Sequence, residues 1–134
     1  MKKRVSLLIT LFFSMLAWAQ QTTSANMYSE KAAEISFVVR EHNFGDVKAG
    51  QIVTHPFEFI NTGNAPLVLA DVRVTCGCTV INWPRQPIAP GEKGTIVVQF
   101  NSADRIGPQN KIVTVLSNAK NEIERLLIRA NVVP

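Results

Sequence analysis

From Glu34 onward, apolar residues recur at every second position in short runs. Ile35, Phe37 and Val39 share one parity, and Val53, His55, Phe57 and Phe59 alternate with Thr54, Pro56 and Glu58. A period of two is that of a strand with one face on a core. The same pattern predicts strands over residues 66–75, 79–82, 95–100, 111–117 and 125–132. Turn-forming clusters separate them: Lys48-Ala49-Gly50, Asn61-Thr62-Gly63-Asn64, Ala89-Pro90-Gly91-Glu92, Arg105-Ile106-Gly107-Pro108 and the polar run 117–121. Seven short strands at this spacing, with no amphipathic helical segment between them, predict an all-β domain, an antiparallel sandwich of immunoglobulin-like type. Its core candidates are Phe37, Phe57, Phe59, Val72, Val74, Ile96, Val98, Phe100, Ile112, Leu116, Leu126 and Ile128. Fully burying such side chains stabilises by roughly 1.5–3 kcal/mol each, enough to hold a sandwich without the inter-sheet disulfide that this chain lacks.

The first 33 residues break the pattern. Met1-Lys2-Lys3-Arg4 is basic, Val5 to Leu16 is almost wholly apolar, and Ala17-Trp18-Ala19 places small residues where a signal peptidase reads them. Residues 1–19 are therefore expected to be a secretory signal peptide, 20–33 a flexible polar leader, and 34–134 the sandwich domain. The apolar run is shorter than the ~20 residues a membrane-spanning helix needs. The protein is expected to be exported, periplasmic or extracellular, and not membrane-spanning after cleavage.

Cleavage also changes the charge. Removing 19 of the 134 residues leaves 115, and takes with it three of the fourteen Lys and Arg but none of the ten Asp and Glu. Eleven basic against ten acidic residues is a net charge of +1, and no basic stripe remains. Nucleic-acid binding is excluded as a class on that ground.

Cys76 and Cys78 are the only cysteines, in "VTCGCTVINWP". On an extended strand residues two apart share a face, so both thiols read as small inward hydrophobes of the series Val68, Ala70, Val72, Val74. An oxidising compartment instead favours a local disulfide or redox-labile pair, which requires a bend that Gly77 permits. A soft-metal site is the third reading. Cys76, Cys78, His55 and His42 make four ligands in number, but no spacing favours them, and no metal or other cofactor is expected. His55 reads as a partly buried strand histidine with one hydrogen bond, and His42 as solvated before a turn.

Trp83 and Arg85, in "NWPRQP", are the candidate partner-binding residues. Pro84 biases Trp83 toward extended backbone, and a tryptophan on a stiff loop can anchor a partner or plug the end of the sandwich. Catalysis finds little to build on: two histidines, no Ser/His/Asp spacing, no phosphate-binding glycine loop. Asp71 and Arg73 read as an exposed pair on one strand. The expectation is a noncatalytic module that binds a protein or cell-envelope component, with thiol redox or soft-metal handling through the Cys-Gly-Cys motif as the alternative.

"FGDVKAGQ", "FEFINTGNAPLVL", "TCGCT", "PIAPGEKGTIVVQF" and "KIVTVLSN" occur in that order along the chain. In this the sequence resembles an exported bacterial family, domain-of-unknown-function family 1573, over roughly residues 36 to 132. That family looks like a branch of the major-sperm-protein and PapD-like immunoglobulin sandwiches. The resemblance implies a fold and no activity. It departs before Lys111, where the family pattern suggests an aromatic residue and this chain has Gln109-Asn110.

Overall fold

The structure is a computed structural model and describes residues 31–75 and 77–134. The expected signal peptide, residues 20–30 of the expected leader, and Cys76 lie outside the described residues. Eight strands form in chain order: β1 (Ile35–Phe37), β2 (Glu41–Lys48), β3 (Ile52–Asn61), β4 (Leu69–Val74), β5 (Cys78–Asn82), β6 (Lys93–Asn101), β7 (Gly107–Ser117) and β8 (Ile123–Val133). They make two four-stranded sheets, ordered β1-β3-β6-β5 and β2-β8-β7-β4. The all-β immunoglobulin-like sandwich is as expected.

The eighth strand is β2, which the alternation does not reveal. Its pairing with β8 shifts register between Asn43 and Asp46, a bulge that changes the inward parity from His42 and Phe44 to Val47. It also departs from the expected antiparallel arrangement. The chain crosses from one sheet to the other between Phe37 and Glu41 without reversing, so β1 pairs antiparallel with β3 while β2 runs parallel to β8.

Bulges correct the core assignment too. In β4, Leu69 faces Ser117 but Asp71 faces Leu116, so one extra residue is inserted. Before it, the odd-numbered Leu67 and Leu69 are buried while Val68 is exposed; after it, Val72 and Val74 turn toward the core. On β7 the buried residues are Val113 and Val115, and the expected Ile112 lies on the outer face, 42% exposed. Both parities of "KIVTVL" are apolar, so alternation alone could not choose between them. Phe57, Phe59, Ile96, Val98, Phe100, Leu126 and Ile128 are buried as expected, Phe37 packs against them half-buried, and Leu116 is half-buried.

Asn61, at the end of β3, is fully buried and organises the turn end of the molecule. Its Nδ2 donates to Ala65 O (2.8 Å) and Ile88 O (2.9 Å), and its Oδ1 accepts from Gly63 N (3.0 Å) and Glu34 N (3.3 Å). Gly63 is needed beside it: a Cβ there would sit 2.3 Å from Ala32 O.

Candidate functional site

The corner between β4 and β5 carries the cysteine motif. Cys78 N donates to Thr75 O at 3.2 Å, closing a four-residue turn, and Gly77 has φ +93°, in the left-handed region that favours glycine. Thr75 N donates to Ile112 O, Ile112 N donates to Thr75 Oγ1, and Asn101 N donates to Gly77 O, each at 3.1 Å. The turn is thereby tied to β7 of one sheet and β6 of the other. This replaces the expected extended strand with both cysteines on one face: β4 stops at Val74, and the chain changes sheets before β5 begins at Cys78.

Cys78 is a buried free thiol. Burial pushes its pKa up, while the nearby Lys111 and Arg105 pull the other way. Arg105 also lies over the turn, because a Cβ on Gly77 would be 2.6 Å from its guanidinium nitrogen. Neither cation stands out in the sequence. Both are distant from the motif along the chain, and the only local signal is the glycine between the cysteines.

On the same side of the sandwich, β4 and β5 are each the last strand of their sheet. Trp83, just beyond β5, is half-buried and packs against the core. The Arg85 guanidinium carbon lies 3.7 Å from its ring centroid, close enough for a cation–π contact. Arg73 Nε donates to Asp71 Oδ2 at 2.9 Å on the exposed face of β4, as the expected exposed pair. The hydrogen bond from Arg73, ahead of that from Val72 N and the charges of Arg73 and Arg85, holds the Asp71 carboxyl below its usual range. The two candidate binding residues thus meet an acid and a second arginine at one rim.

The histidines correct two expectations. His42 stacks on His55 with ring centroids 3.7 Å apart and planes 12° from parallel. The ring of His42 is therefore engaged, and His55 Nε2 is shielded from solvent with no hydrogen-bond partner among the described residues. Parallel stacked rings aim their nitrogen lone pairs side by side, which does not suit a shared metal ion. Cys78 is on β5, separated from His55 on β3 by the whole of β6, so the numerically available four-ligand set is not brought together around the one thiol the structure describes. No group of three or more metal-binding side chains occurs among the described residues.

A third feature is an open cleft of about 400 Å³ on the far side, beside the β2 bulge. Its lining is dominated by amides: Asn43, Gln109, Asn110 and Asn131, with Asp46 and Arg129. Asn131 Nδ2 donates to Asp46 Oδ1 at 2.9 Å, and Asn43 Oδ1 accepts from Gly45 N at 2.9 Å. Gln109 and Asn110 belong to β7, so the segment read as a loop before Lys111 is strand.

Comparison with known proteins bears on the fold. No curated protein matches the chain. Among solved structures, a protein of unknown function from Porphyromonas gingivalis W83 superposes with TM-score 0.64 at 15% identity, covering 75% of this chain and 47% of its own. The secreted serine protease VesC from Vibrio cholerae matches with TM-score 0.60 at 18% identity over 75% of this chain and 24% of its own. The PapD-like domain 7 of human CEP192 matches with TM-score 0.58 at 9% identity, over 76% of this chain and 87% of its own. This chain thus spans about half of the Porphyromonas protein and a quarter of the Vibrio protease, and at these identities the likeness is one of fold. The family model described as protein of unknown function (DUF1573) matches residues 35–132, all but the last residue of the sandwich strands, and the chain belongs to that family.

Proposed function

We propose that this protein is an exported, noncatalytic binding or structural module that engages a protein or cell-envelope component through the rim formed by β4, β5 and the segment after β5. The observation that carries this reading is the Trp83–Arg85 stack beside the Arg73–Asp71 pair, at the side where both sheets end. An aromatic ring backed by the core and covered by a guanidinium offers a rigid, amphipathic contact of the kind that dominates binding hot spots. The basic, apolar, small-residue order of residues 1–19 supports export. A PapD-like sandwich is a scaffold on which many unrelated functions are built, so the rim rather than the fold carries the reading.

The test is photo-crosslinking in the producing cell, with a photoreactive residue at Arg85 or Arg73 and, as control, at the exposed Glu58 on β3, which β6 separates from β5. A discrete adduct from the rim positions and none from Glu58 supports the proposal. Equal or absent labelling at all three overturns it.

A second reading is favoured by one observation, the placement of Arg105 and Lys111 around Cys78. Two cations beside a thiol favour the thiolate, the reactive form, and here they oppose the burial that raises the Cys78 pKa overall. In this reading Cys76 and Cys78 give up two protons and two electrons to an external oxidant and form an intramolecular disulfide. Intact mass of the exported protein, alkylated with and without reductant, decides it. A two-hydrogen deficit reversed by mild reductant supports thiol chemistry, and two thiols that label only after denaturation reject it.

A further inference from the structure

The two histidines belong to different sheets. His42 is on β2, the last strand of one, and His55 on β3 of the other, so their stacked rings span the seam where the chain crosses over. Phe44 and Phe57 stand edge-on to the stack, with centroids 4.5 Å from His42 and 4.7 Å from His55. Their register partners are apolar as well: His42 pairs with Ile128 and His55 with Val98.

The charged groups of the surrounding strands are engaged elsewhere. On the outer face, Glu41 of β2 pairs with Arg129 of β8 at 2.8 Å, and Asp46 accepts from Asn131. Arg40 pairs with Glu124 of β8. Lys48 of β2, Glu58 of β3, Lys93 of β6 and Arg125 of β8 are exposed. Among the described residues, no carboxylate is therefore placed to compensate a cationic ring in the seam.

We propose that the His42–His55 stack is an acid-operated latch: neutral rings hold β2 against β3, and protonation releases the seam. Two imidazolium rings 3.7 Å apart repel each other, and a proton on His55 Nε2 becomes a buried donor with no acceptor. Burial, with the charge of His42 as the second cause, lowers the His55 pKa from its ordinary 6.5, consistent with that geometry. The sign follows. A ring that resists protonation when folded contributes stability that is complete above the unfolded pKa of about 6.5 and lost as pH falls below it.

Release has a structural consequence. β1 pairs with β3 only at Phe59–Asn61, extended by Val38 N to Glu58 O, so no strand covers the outer edge of residues 52–57 among the described residues. Freeing β2 exposes that edge further, and Pro56 within it limits pairing because it lacks an N–H. The physiological use of such a latch rests on the exported reading, since an exported domain meets the pH of its surroundings; the latch itself does not depend on location.

The experiment is amide hydrogen exchange on the protein purified from the producing cell, at pH 7.5 and pH 5.0, corrected for intrinsic exchange rates. Expected is a selective loss of protection in β2 and residues 52–57 relative to the β7–β8 pair at pH 5.0, about tenfold in opening for each pH unit by which the His55 pKa lies below its unfolded value. His55→Phe, which keeps a ring without a titrating nitrogen, abolishes the selective loss. Should that variant not fold, His42→Phe and the wild-type histidine ring resonances carry the test, with His55 taking its proton below pH 6.5. Uniform loss across both sheets, unchanged acid opening in His55→Phe, or a His55 ring titrating at or above 6.5 overturns the latch.

Discussion

Asn61 and His55 lie on the same strand, both turned toward the interior, and they meet opposite fates. Every hydrogen-bonding site of the Asn61 amide is taken, two by donation to carbonyls and two by acceptance from backbone N–H groups. His55 Nε2 has no partner, and its ring is held by stacking. A fully satisfied buried polar group fixes one conformation, because any rearrangement strands several groups at once. A group left without a partner is stable in only one charge state and can respond to pH. One end of β3 is thus built to stay shut, and the other to yield.

The comparison is broken most severely at Asn61. Asn61→Ala leaves Ala65 O, Gly63 N and Glu34 N without this partner, while Ile88 O keeps its bond from Leu67 N; at about 1 kcal/mol or more for each part-buried group the loss is expected to be on the order of 3 kcal/mol, read from the urea midpoint. Gly94→Ala tests the packing between the two sites. Its Cβ would lie 2.3 Å from Phe59 Cζ and 2.9 Å from Ile88 Cδ1, and Phe59 is wholly buried, so a destabilisation of about 1–3 kcal/mol is expected by the same measurement.

Acid sharpens the contrast. The hydrogen bond from Arg40 is the largest of the influences that hold the Glu124 carboxyl below its ordinary pKa of 4.5, with a further one from Asn121. Its contribution is present above that value and lost as pH falls through the folded pKa. Wild-type stability should therefore fall in two stages, first below pH 6.5 through His55, then below pH 4.5 through Glu124 and, in smaller part because it is exposed, Asp71. Glu124→Gln should shrink the second stage and leave the first in urea titrations repeated across pH, and loss of both together would show the two sites to be coupled. The smallest effect belongs to the rim. Arg85→Ala should cost about 0.5–1 kcal/mol and shift the emission of Trp83, the one tryptophan beyond the expected signal peptide.

How much of this was legible in the sequence differs by element. β3 and β6 alternate strictly, and their inward residues Phe57, Phe59, Ile96, Val98 and Phe100 were readable because one face is apolar and the other mixed. β2 was not, since its bulge changes parity within eight residues and its inward positions are a histidine, a phenylalanine and a valine. β4 misled for the same reason, with its bulge at Leu69–Asp71. Trp83 and Arg85 are neighbours in sequence and were readable as candidates. The approach of Asp71 and Arg73 to them was not, because it depends on two edge strands ending on the same side.

By itself the sequence determined the sandwich class, the family and most of the core, because a period of two and the turn residues are local properties of the chain. Only the tertiary structure decided that "TCGCT" is a corner under Arg105, and that His42 and His55 are stacked across a seam. Contacts between residues 13 to 28 positions apart depend on how the sheets lie over one another, and a single residue inserted at a bulge reverses which side chains face inward.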